Sequence, residues 1–159
     1  MRSLYAAVSI DVESPLGGGG CLGYLIDFLQ ILQNRAARLV TKQDQLTPTR
    51  VVLHQCGWLS VWQMVHYHSL LLVFKIKQKN KPEYFSVHFS QKFPYRTRLA
   101  TGMGVRRHEY YNHEVTKRSF VPRTCTMWNL LPLTLRSLES ISHFKQKMKS
   151  WIKDIMPIE

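Results

Sequence analysis

Two clusters between positions 95 and 111 have the residue types of a surface for single-stranded nucleic acid. Tyr95, Arg96 and Arg98 form one, and Arg106, Arg107, Tyr110 and Tyr111 the other. A guanidinium meets phosphate through paired N–H donors, and a phenol ring stacks on any base. The same residues would also suit a solvated loop with its tyrosines packed inward, and no recognised RNA motif surrounds them.

Other groups invite chemistry with less support. His54 with Cys56, and His66 with His68, have zinc-ligand types. Residues two apart do not share a helix face, so neither pair chelates easily and ordinary histidines are the better reading. No metal or other cofactor is expected. Trp128-Asn129-Leu130-Leu131-Pro132 resembles a recognition motif, but a buried tryptophan with leucines, ended by a proline turn, is the stronger reading.

The elements that must position these groups are helical. From Leu25 the apolar residues Leu25, Phe28, Leu29, Leu32, Ala36, Leu39 and Val40 recur at spacings of three and four. They predict a helix with that face inward and Gln33, Asn34, Arg35 and Arg38 elsewhere. Thr47-Pro48 reads as a capped start, and Gly57 as the stop of a short helix. Ser60 and Gln63 form a capping-box pattern. They open a helix whose stripe is Val61, Met64, Val65, His68, Leu71, Leu72 and Lys75, ended by Pro82 after Lys75, Lys77, Lys79 and Lys81.

Residues 83–127 have no sustained period, and read as a short helix near Glu83 to Phe89 within an irregular basic insert. The last helix follows Ser140, with Ile141, Phe144, Met148, Trp151, Ile152 and Ile155 on one stripe and Lys145, Lys147, Lys149 and Lys153 on the wet side.

Charge divides the chain. Residues 1–33 hold one arginine against three acids, a balance of −2; the rest holds 21 Lys and Arg against 7 acids, or +14. That field attracts polyanions. With Pro15 and Gly17 to Gly20, the sequence predicts a flexible, disordered leader over 1–23 and one helical domain over 24–159. The short apolar runs Leu4–Ile10 and Leu70–Phe74 are neither a signal core nor a membrane span, so no membrane partner is expected. Three widely spaced cysteines, Cys21, Cys56 and Cys125, suit reduced thiols in an intracellular setting, cytoplasmic or nuclear.

Several blocks together resemble the region downstream of the polymerase domain in non-LTR (LINE, jockey-like) retrotransposon reverse transcriptases. Leu29-Gln30-Ile31-Leu32-Gln33-Asn34-Arg35-Ala36-Ala37-Arg38-Leu39-Val40 is similar to that family's "LQ-x-x-QNRAAR" helix. Thr47-Pro48 and Trp58-Leu59-Ser60-Val61 follow in the family's order, with Ser60 where proline is usual. Ser119-Phe120-Val121-Pro122-Arg123-Thr124, with Trp128-Asn129-Leu130-Leu131-Pro132, resembles its "S-F-x-P-R-T … W-N-x-L-P" block. Phe144-Lys145-Gln146-Lys147-Met148-Lys149 is similar to its closing helix. The likeness spans roughly residues 25–155 and leaves the leader unmatched.

The resemblance implies a piece of a polymerase polyprotein without its chemistry. Reverse transcription needs clustered carboxylates around two metal ions. Here Asp11, Asp27, Asp44 and Asp154 are isolated from one another, and the family's endonuclease is missing. The expectation is a mostly α fold of about five helices in an irregular bundle, packed around Trp58, Phe74, Trp128 and Trp151. Its function would be non-catalytic contact with nucleic acid, RNA above all, with no small-molecule substrate. The alternatives are a helical docking module for the missing polymerase domain or a host partner, and a transposon fossil without selected function. Salt-sensitive RNA binding favours the first, and a large bare apolar face the second.

Overall fold

The computed structural model describes residues 22–79, 83–84, 89, 104 and 119–156. These are mostly helical, with no strand among them. The helices are α1 (Leu22–Thr41), α2 (Thr49–Cys56), α3 (Val61–Lys79), α4 (Phe120–Leu130), α5 (Leu133–Arg136) and α6 (Ile141–Ile155). Glu83, Tyr84 and Phe89 also have helical backbone, while the rest of the helix predicted there lies outside the described residues. The leader falls outside them too, up to Cys21. Leu22 and Gly23 already belong to α1, so that helix starts ahead of the predicted boundary. No helix among the described residues is long and apolar enough to cross a membrane.

The chain divides into two compact units, one of Met1–His66 with Ser150–Glu159 and one of Tyr67–Lys149. In the first, α1 packs on α2 around Ala37, Val52 and Leu53, with Cys56 at the edge. The predicted face of α1 is reversed. Ile26 and Ala37 are buried, with Gln30, Gln33 and Asn34 partly so, while Leu25, Phe28, Leu29, Leu32, Leu39 and Val40 are exposed.

The amides explain the reversal. Gln33 Nε2 donates to the Leu59 carbonyl (2.8 Å), and the Val61 N–H donates to Gln30 Oε1 (2.8 Å). Gln30 Nε2 in turn donates to Gln33 Oε1 (3.0 Å) and Asn34 Oδ1 (2.8 Å). These side chains satisfy backbone groups at the entry to α3, where the first turn of a helix has donors without intrahelical partners. Arg38 Nη2 also turns inward, donating to the Thr47 carbonyl at 3.1 Å.

The short helix α2 begins after Pro48, which holds the N-cap position without a side-chain cap. Thr47 therefore does not cap it. Gly57 ends it at φ 66°, in the left-handed region where a Cβ is costly, as the sequence predicts. The capping box of α3 forms in both directions. Ser60 N–H donates to Gln63 Oε1 at 2.9 Å, and Gln63 N–H to Ser60 Oγ at 3.2 Å. The Gln63 amide also donates to the Met156 carbonyl.

The face of α3 is corrected as well. Of the predicted stripe Val61 and Leu71 are buried, Met64, Val65 and Leu72 are half-buried, and His68 and Lys75 are exposed. Gln63, His66, Leu70, Val73, Phe74 and Ile76 are buried as well. A helix apolar around most of its circumference has no period that selects a face.

In the second unit Phe74 stacks on Phe144 (centroids 4.0 Å apart, 15° between planes), and Trp128 tilts against Phe144 at 6.1 Å. Leu70, Val73, Ile76, Phe89, Cys125, Leu131, Leu135 and Met148 are also buried in this unit. Trp128 is thus a core residue, whereas Trp58 is exposed and Trp151 only half-buried, against the expectation that all three anchor the bundle. Residues 120–127, read as irregular insert, form most of α4. Pro122 obscured this. It is the third residue of the helix, where its missing N–H would have no intrahelical acceptor anyway. Pro132 starts α5 rather than ending a turn. Gln78 Nε2 donates to the Glu139 carbonyl at 3.2 Å, tying the end of α3 to the residue before Ser140.

Candidate functional site

The seven residues singled out for nucleic-acid contact, Tyr95, Arg96, Arg98, Arg106, Arg107, Tyr110 and Tyr111, lie outside the described residues. The candidate metal pairs do not converge. His54 and His68 are exposed, His68 meeting the Tyr67 ring edge-on at 5.3 Å. His66 is buried against Trp62 at 5.9 Å, and Cys56 lies near the Ala37 carbonyl, its Sγ at 3.9 Å. Among the described residues no group of three His, Cys, Asp or Glu side chains could hold a metal ion.

A different constellation forms in the second unit, built on the phenylalanine–tryptophan stack. Phe74 and Lys77 are three apart on α3, so they share a face. With Phe74 seated on Phe144, Lys77 Nζ is carried to 5.7 Å from the centroid of the Trp128 ring. A lysine over an indole face is held by the ring quadrupole, an interaction of roughly 0.5–1 kcal/mol at an accessible site. Arg136, the last residue of α5, supplies a second cation close enough to act on Lys77.

Among the described residues the electrostatics are those of a positive site without a counter-charge. Burial lowers the pKa of Lys77 below the ordinary lysine value, the Arg136 charge lowers it further, and Cys125 opposes with a smaller upward influence. Burial also depresses Arg136. No carboxylate of the described residues acts on either shift. The Nε and Nη1 groups of Arg136 are screened from solvent and find no hydrogen-bond acceptor among the described residues. Buried guanidinium donors left unmatched are costly, and an oxyanion presenting two acceptors is their natural complement.

Lys77 was legible only as one of several cations at a helix end, and Arg136 carried no signal at all. What joins them is the packing of Phe74, Phe144 and Trp128, which no local pattern encodes. Of the α6 lysines Lys145, Lys147 and Lys149 are exposed as the sequence predicts and Lys153 is half-buried, while on the predicted apolar stripe Ile141 is exposed and Ile155 half-buried. No protein-family model, curated protein or solved structure matches this chain.

Proposed function

We propose that the chain is a non-catalytic, nucleic-acid-contacting region, akin to the segment downstream of the polymerase domain in a retroelement reverse transcriptase, and that RNA is its polyanion. The observation that carries this reading is the pair Lys77 and Arg136, two cations beside a tryptophan with guanidinium donors lacking an acceptor. A phosphate oxygen placed there would satisfy those donors and return Lys77 toward its ordinary basicity. The +14 balance of residues 34–159 supplies the long-range attraction. The ordered sequence blocks over residues 25–155 supply the link to retroelements, and the isolated aspartates the absence of catalysis.

The test is binding of a labelled single-stranded RNA to the full chain, followed by fluorescence anisotropy over a salt series. Each phosphate neutralised contributes a log–log slope of about −0.7 on single strands. The double variant Lys77→Gln with Arg136→Gln should flatten the slope by ~1.4. Replacing Arg96, Arg98, Arg106 and Arg107 together should flatten it by up to ~3. Absence of binding by the parent at low salt would end the nucleic-acid reading. Binding untouched by the double variant would remove Lys77 and Arg136 from it.

A further inference from the structure

The outward face of α1 is apolar and exposed. Leu25, Phe28, Leu29, Leu32 and Leu39 are between 44% and 80% exposed, and Ala36 is exposed among them. Monomers seldom leave so continuous a stripe of large apolar side chains in water. Its spacing narrows the occupant. Leu25, Leu29, Leu32, Ala36 and Leu39 are separated by four, three, four and three residues. That is the alternation by which one helix accepts another as knobs into holes.

We infer that this face pairs with the same face of a second copy, as an antiparallel two-helix seam. Running the copies in opposite directions about a two-fold axis between Gln30 and Ile31 sets Leu29 of each near Leu32 of the other. Leu25 then falls opposite the small Ala36, so a large side chain meets a small one twice, once from each copy. Phe28 and Arg35, on the same flank of the stripe, come side by side across the seam, where a guanidinium over a ring is favourable. The opposed helix dipoles favour the same orientation.

Charge points to a copy of this chain rather than to a polyanion. α1 holds Asp27 against Arg35 and Arg38, a balance of +1 within a chain of +12. It is a face on which two strongly basic molecules can meet with little repulsion. From Leu25 to Leu39 the seam is about 21 Å long. A contact of that length buries less than the ~800 Å² per partner of a standard stable interface, so the dimer is weak and concentration-dependent. The inference uses different residues from the Lys77–Arg136 site and does not rest on the nucleic-acid reading.

Sedimentation equilibrium of the full chain over about two decades of concentration tests it, since occupancy of a weak dimer changes across that span. The expected result is monomer giving way to dimer, with the dimer strengthened by salt as the net positive charge is screened. Leu29→Glu with Leu32→Glu should raise the dissociation constant about 100-fold or more, because each copy would desolvate unpaired carboxylates. Both positions are exposed, so circular dichroism should match the parent. If that variant fails to fold, Ala36→Glu, at a smaller side chain of the same seam, replaces it. A parent that stays monomeric throughout overturns the inference. Flotation of that monomer with phosphatidylcholine–phosphatidylserine vesicles would then assign the stripe to a lipid surface. A dimer unaffected by the glutamates overturns it equally, since the copies would be meeting elsewhere.

Discussion

α6 turns Phe144, Met148 and Ile152 into the core and leaves Lys145, Lys147 and Lys149 in solvent, while α1 buries glutamine amides and leaves its leucines outside. Both helices have an apolar stripe at helical spacing. The difference lies in what faces them. Against Phe144 of α6 stand the rings of Phe74 and Trp128. Opposite α1 stands the entry to α3, whose Val61 N–H and Leu59 carbonyl are met by Gln30 and Gln33. A helix face is chosen by the strongest demand of its neighbour. An unmet backbone group in a part-buried site competes with several leucines.

The largest effect should come from breaking the stack. Phe144→Ala is expected to destabilise by ~3–5 kcal/mol in a denaturant titration. Leu32→Ala, equally apolar but on the outer face of α1, should change stability by less than ~0.5 kcal/mol in dilute solution. Trp151→Ala should fall between them, because the indole is only half-buried. A Leu32→Ala cost equal to that of Phe144→Ala would mean the α1 stripe is internal after all, and the contrast between the helices would collapse.

The polar face of α1 gives the next largest effect. Gln33→Ala removes the donor to the Leu59 carbonyl and the acceptor for Gln30, and should cost ~1–3 kcal/mol by the same titration. Gln33→Glu, similar in shape but acceptor-only, should cost as much at neutral pH, since it cannot donate to that carbonyl. If both variants are neutral, the amides do not decide the facing of α1.

Ser60→Ala deletes one half of the reciprocal cap and should cost about 1 kcal/mol. This is the feature the sequence announces most directly. A serine followed three residues later by glutamine is a local pattern, and the two hydrogen bonds it promises are present. Gly57 as a stop and the Phe144–Met148–Ile152 stripe are legible for the same reason: each depends on residues within a few positions. The inward faces of α1 and α3 are not. Gln33 finds its partner 26 residues away and Gln30 finds one 31 away, so no window around α1 holds the information. The candidate site follows the same rule, since Lys77 and Arg136 meet only through packing. The expected arginine and tyrosine clusters at 95–111 lie outside the described residues.

The smallest stability effect concerns buried polar groups, matched amides on one side and unmatched guanidinium donors on the other. The amides of α1 are matched, whereas Arg38 Nε of the same helix and Arg136 Nε and Nη1 are without a partner among the described residues. Replacing a matched group should weaken the fold, but replacing an unmatched cation with an apolar side chain of similar length should be neutral or stabilising. Arg136→Met is therefore expected to keep or raise the denaturation midpoint while weakening RNA binding. The pH dependence follows from Lys77. Its folded pKa is below the unfolded value, so between the two the unfolded chain holds more protons, and this group's contribution to stability rises with pH across that window. Arg136→Met removes one of the two causes, so the window should narrow. In the parent, RNA binding in that window should take up protons, since a phosphate restores the charged form of Lys77. The measurement is calorimetric titration in two buffers of different ionisation enthalpy. If Arg136→Met costs as much stability as Gln33→Ala and leaves RNA affinity intact, Arg136 is an ordinary structural contact. Stability retained with affinity lost would mark its buried donors as held for a ligand rather than for the fold.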